Sequence, residues 1–218
     1  MAITRVGELR RVFRGGQSEL LNGIARLAIL YEDLRLEMCE LRSLHRSVIE
    51  LGESGLDHRV SYFLRRSLAT LVEFRGGLTA VRMTDEFKKA EPALTDLDVR
   101  CIADADEFLQ QKWTLIKELR NEFAGHIQAR AVKFAVEHLT DEVGRVTWNP
   151  APDAWTVGIE CDFAGVLLAG VISSKFQAGG DVLAELRRAM DVLSVGFGHA
   201  QAAMVALVHA FLWDSFGR

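Results

Sequence analysis

A chain of 218 residues fits one large domain, or one domain with an appendage. Such a chain buries roughly 70% of its unfolded surface and needs no disulfide or metal staple. Apolar residues at 49% and charged residues at 26% exclude intrinsic disorder. The balance of 26 Lys and Arg against 30 Asp and Glu gives −4, so any polyanion site must be a local basic patch. Cys39, Cys101 and Cys161 form no CxxC pair, which excludes a zinc motif and suits a reducing cytoplasm.

The opening stretch MAITRVGELRRVFRGG is charged where a secretory signal needs an apolar core. Arg5, Arg10, Arg11 and Arg14, opposed only by Glu8, make residues 1–16 a basic arm. Arg10, Arg11 and Arg14 are its candidate contacts to an RNA backbone, against the plainer reading of a solvated terminal segment.

From Gln17 to Leu51 two apolar tracks alternate by three and four. One is Ile24, Tyr31, Met38 and His45; the other is Leu27, Leu34, Leu41 and Val48. That spacing predicts one long helix with a single buried stripe, Ser18 as its N-cap, and an end at Gly52 and Gly55. A second helix is expected over Asp57–Arg82, burying Val60, Leu64, Leu71 and Leu78 and kinked or ended by Gly76-Gly77. The polar run Thr84–Thr95, with Pro92, reads as a connection. A third helix is expected over Asp96–Phe123, with Ile102, Ala105, Leu109, Trp113, Ile116 and Leu119 on its buried face. A fourth is expected over Ala129–Leu139.

Beyond that the texture changes. Val146-Thr147-Trp148 and Trp155-Thr156-Val157 flank NPAPDA and read as a small hairpin or an ordered loop. If these strands pair, the two tryptophans face each other. Helical patterns resume over Asp162–Phe176 and Asp181–Ser215. The expected fold is all-α: a four-helix bundle over 17–140, preceded by the arm 1–16. A helical extension with a small β-hairpin follows over 141–218, packed on the bundle or at a dimer interface.

Residues Val192–Trp213 carry no Asp, Glu, Lys or Arg over 22 positions, enough to cross a bilayer. A buried or dimer-forming helix explains them more cheaply, so a membrane partner is not expected.

No phosphate loop, nucleophile elbow or HExxH occurs, and no metal or cofactor is called for. The histidines at 45, 58, 138, 199 and 209 read as core, helix-end or surface residues. His126 differs by its company, ending the run Glu118-Leu119-Arg120-Asn121-Glu122-Phe123-Ala124-Gly125-His126. Arginine supplies a permanent donor fork for phosphate, and histidine a proton that moves near neutral pH. In an unbroken helix Arg120 and His126 stand about 120° apart, at 100° per residue. Gly125 lets the helix end and the imidazole swing back. Glu122, one turn before His126, is in reach of it if helical geometry persists that far. The competing reading is an ordinary helix C-terminus with a cap glycine and a solvated polar face.

Arg120-Asn121 followed after four residues by His126, on a helix of an all-α bundle, resembles the R-x(4–6)-H signature of the HEPN superfamily. The resemblance covers roughly residues 17–140. It implies a metal-independent endoribonuclease of toxin or defence type, usually a homodimer, in which a ribose 2′-hydroxyl attacks the adjacent phosphate. In that reading His126 is general base or acid, Arg120 stabilises phosphate charge, Asn121 positions a partner and Glu122 supports the imidazole. RNA is then the partner, together with a second copy and an antitoxin or other protein. Toxin members often carry a tyrosine two residues after the histidine; here Gln128 stands there. Two other readings stay open: a catalytically silent HEPN-like interaction module, and a membrane-associated helical protein anchored by residues 192–213.

Overall fold

The computed structural model describes residues 18–51, 58–120, 133, 136–137, 146–148, 159–161 and 182–213. Among them six α-helices are bounded: α1 (Glu19–Leu51), α2 (His58–Met83), α3 (Asp85–Ala90), α4 (Asp96–Gln111), α5 (Trp113–Leu119) and α6 (Val182–Phe211). The described residues are helical apart from one pair of three-residue strands, β1 (Val146–Trp148) and β2 (Ile159–Cys161), and their connecting turns.

Its contacts divide into two compact units, and α1 and α2 each contribute to both. The first comprises described residues up to Leu36, then Ala69–Lys117, then Val192 onward. The second comprises Glu37–Leu68 and Glu118–Asp191.

In the first unit the heptad seam of α1 is buried as its spacing predicts: Ile24, Leu27 and Leu34 are wholly enclosed. Ser18 accepts a hydrogen bond at Oγ from Leu21 N–H (3.2 Å), the expected cap. A second orphan donor, Leu20 N–H, is met at 3.1 Å by Glu86 Oε2 of α3. Leu71, Phe74, Leu78 and Val81 of α2 are fully buried, and burial of one such side chain stabilises by about 1.5–3 kcal/mol. The glycine pair does not end α2. Gly77 sits where a Cβ would come 2.9 Å from Leu27 Cδ2, and Gly23 of α1 where one would come 2.6 Å from Val81 Cγ2. Close approach of α1 and α2, rather than a kink, is the use of these glycines.

Residues Thr84–Thr95 are not the irregular connection expected. Thr84 Oγ1 accepts from Phe87 N–H (3.2 Å), Asp85 and Glu86 occupy the first turn, and Lys88 and Lys89 the last. With cap and charges both favouring a helix, α3 forms and buries Phe87, whose ring lies 6.0 Å from that of Phe211. Pro92 opens a 3₁₀ turn (Glu91–Ala93), a position where its missing N–H costs nothing.

The third expected helix is broken in two at Lys112, whose φ −90° and ψ 2° leave the helical region. Its N–H still bonds Phe108 C=O at 2.9 Å, and Ile116 N–H returns to Lys112 C=O at 2.8 Å. No glycine or proline marks the break. Beside it Trp113 lies under the Arg75 guanidinium, 4.0 Å from ring centroid to Cζ. The stripe Ile102, Ala105, Leu109 and Ile116 is buried on both sides of the break. Helix α6 buries Leu193, Ala200, Ala203, Met204 and Leu207 in the same unit, with Gly196 within 2.9 Å of Leu71 at its would-be Cβ.

In the second unit Met38 and Leu41 of α1 and Leu64 and Leu68 of α2 are buried. Arg66 Nε lies 3.4 Å from Glu37 Oε1. Helical backbone recurs at 133 and 136–137 of the expected fourth helix, where Lys133 and Glu137 pair at 3.7 Å, one turn apart. The strands pair antiparallel with Val146 opposite Cys161 and Trp148 opposite Ile159. The partner of Trp148 is thus Ile159 and not Trp155. Helix 162–176 of the sequence reading, residues 1–16, and the side chains of His45 and Val48 lie outside the described residues.

Candidate functional site

Two regions carry polar chemistry. The first is the end of α5. Arg120 follows Leu119 with π-helical backbone and an exposed side chain. Backbone of that kind is uncommon and is often found at functional sites. Asn121, Glu122 and His126, and the arm residues Arg10, Arg11 and Arg14, lie outside the described residues.

The second lies within the first unit, where α1, the start of α4 and the end of α6 enclose a groove of about 640 Å³. Thr95 caps α4: its Oγ1 accepts from Asp98 N–H at 3.2 Å and donates to Asp98 Oδ2 at 2.7 Å. Thr95 thus caps the helix while its hydroxyl is held by the Asp98 carboxylate. The same Oδ2 lies 3.1 Å from His209 Nδ1 of α6. A carboxylate only accepts, so the ring hydrogen is on Nδ1 and Nε2 is left as the second polar atom. Asp98 is 7% exposed, and the two hydrogen bonds satisfy an otherwise costly buried acid.

Tyr31 and Glu32 line the groove from α1. The Tyr31 ring stacks on Phe197 at 5.9 Å, nearly parallel. Burial, and after it the Glu32 carboxylate, raise the Tyr31 phenol above its usual value, against a smaller opposite pull from Arg35. Glu32 is held by Arg35, whose Nε and Nη2 both sit 2.8 Å from Oε2. His199 is not free either: it stacks on Phe108 at 4.7 Å.

Sequence reasoning did not find this groove. Asp98 was legible as a helix-start acid and His209 as a polar residue in an apolar helix. Their 111-residue separation carries no local signal that joins them. Among the described residues no three His, Cys, Asp or Glu side chains gather closely enough to hold a metal ion. Among the described residues one helical stretch, Arg188–Phe211, has the length and composition to cross a bilayer, and 44% of its apolar window is buried within the protein. No family model matches the chain, and no curated protein or solved structure is significantly similar to it.

Proposed function

We propose that the chain is a HEPN-type, metal-independent endoribonuclease working as a homodimer on RNA. The observation that carries the reading is the Arg120-Asn121-(four residues)-His126 spacing at the close of a helix. The exposed side chain of Arg120, on π-helical backbone just after α5, supports it. An exposed arginine can meet a phosphate without displacing core.

In this mechanism His126 takes the proton of a ribose 2′-hydroxyl as the oxygen bonds to the adjacent phosphorus. The bond from phosphorus to the 5′-oxygen breaks, and that oxygen leaves with a proton from an acid, His126 of the second copy or water. A 2′,3′-cyclic phosphate remains. Arg120 lies along the non-bridging oxygens, whose charge grows in the transition state. Asn121 orients a phosphate oxygen or holds the imidazole tautomer, and Glu122 supports the imidazolium. The basic arm Arg10, Arg11 and Arg14 adds backbone contacts that salt would weaken.

The test is cleavage of a mixed RNA pool by the purified full chain in excess EDTA, with product ends analysed for cyclic phosphate. Metal-dependent cleavage would overturn the mechanism. No cleavage of any RNA by a well-folded dimer would favour the silent interaction module.

A further inference from the structure

The groove beside α1 and α6 has a consistent chemistry that the nuclease reading does not use. Its wall is apolar, built from Ala28, Leu97, Met204, Val205 and Val208. Leu97 and Val205 remain 69% and 63% exposed there, so apolar surface stays wet where a ligand would cover it. A volume of about 640 Å³ lies inside the range of small-molecule sites.

The carboxylates Glu32 and Asp98 stand at this wall beside neutral polar groups such as Gln201. No lysine or arginine is among the lining residues, whereas Glu32 and Asp98 are. Arg35 places Nε and Nη2 on Glu32 Oε2, so Oε1 can accept from another donor. That ion pair is about half exposed, at 45% and 54%, a setting in which an entering cation competes easily. His209 has its Nδ1 on Asp98, which leaves Nε2 as a further polar atom at the wall. Tyr31 and Trp213 add aromatic surface, which favours a cation over an anion.

We infer that this groove binds a small lipophilic amine, its hydrocarbon against Leu97, Met204, Val205 and Val208 and its ammonium on Glu32 Oε1. Carboxylates on an apolar wall repel a carboxylate ligand by like charge and offer an alcohol head group a hydrogen bond but no ion pair. The inference does not rest on the ribonuclease reading.

Three probes of equal chain length, octylamine, octanol and octanoate, separate head group from hydrocarbon. Titration calorimetry on the full chain should give octylamine at least a tenfold advantage over octanol, with octanoate weakest. Glu32→Gln, at an exposed helix position, should lower octylamine to the affinity of octanol and leave octanol unchanged. Val205→Trp should fill the groove and weaken octylamine and octanol alike. Equal affinity for all three probes, a preference for octanoate, or undiminished octylamine binding by Glu32→Gln would overturn the assignment. So would tight binding of octylamine that survives Val205→Trp, since it would lie elsewhere.

Discussion

His209 reaches across from α6 to the same Asp98 oxygen that receives the Thr95 hydroxyl, with Nδ1 3.1 Å from Oδ2. One carboxylate thereby ends a helix and ties it to another. Asp98→Ala removes the donor-accepting oxygen but leaves the Thr95 cap to the backbone, so a loss of about 1–2 kcal/mol is expected. His209→Ala should cost less, below about 1 kcal/mol, because its side chain is 56% exposed. In urea unfolding the double variant should lose less than the sum of the singles. Strict additivity would show that the two groups do not interact in solution.

The two glycines of closest interest predict opposite signs. Gly76 has no atom within 4 Å of a would-be Cβ, in the interior of α2, so Gly76→Ala should stabilise by up to about 1 kcal/mol. Gly23→Ala places a methyl 2.6 Å from Val81 Cγ2. Valine in a helix is nearly fixed at χ1 and cannot swing clear, so overpacking of about 1–3 kcal/mol outweighs the propensity gain. Thermal melts should move up by roughly 2–4 °C for the first and down for the second. A rise in both would mean that α1 and α2 separate more readily than their packing implies.

These contrasts show what was legible from residue order. The α1 seam was, because a stripe of Ile24, Leu27, Leu34, Met38 and Leu41 at three-four spacing has one way to be buried on a helix. So was the α4 face through Ile102, Ala105 and Leu109. The break at Lys112 was not, since no glycine or proline announces it and its neighbour contact, Arg75 over Trp113, is 38 positions removed (113 − 75). Helix α3 was missed because Pro92 and polar residues outweighed a capping threonine with charges correctly ordered behind it. The strand partner of Trp148 was misplaced because short alternating segments permit several registers, and a shift to Ile159 is invisible locally. Of the proposed catalytic set, Arg120 alone falls among the described residues, exposed and on π-helical backbone. The groove was not, because its walls come from three distant stretches of chain.

Tyr31 offers a pH test with a definite sign. Burial first, then Glu32, raise its phenol above 10.0, so the folded protein holds the neutral form more tightly than the unfolded chain does. The stabilisation is complete below the unfolded value and is lost as pH climbs through the folded one. The chain has two tyrosines, and Tyr62→Phe leaves Tyr31 alone to be followed by near-ultraviolet absorbance. Its midpoint should exceed that of free tyrosine, and Glu32→Gln should bring it partway back. A midpoint at or below the free value would contradict the burial of the ring beside Phe197.

The ribonuclease reading fails or stands on a small set of variants. His126→Ala should reduce cleavage in EDTA by about 10²–10⁴-fold, the cost of losing a general base, with circular dichroism unchanged. Arg120→Ala should cost about 10²–10³-fold, because charge developing on the phosphate loses its donor fork. Arg120→Lys should recover little of this, since an ammonium cannot bond two oxygens in one plane. Glu122→Ala should alter the pH profile more than the maximal rate, as expected of a group that only supports the imidazolium. Arg14→Ala is the control: it should weaken RNA binding with a shallower salt dependence and leave the single-turnover rate at saturation intact. Full activity in His126→Ala would remove the proposed base. Equal losses in Arg14→Ala and Arg120→Ala, both cured by more RNA, would reduce Arg120 to a backbone contact and leave the phosphate chemistry without its cation.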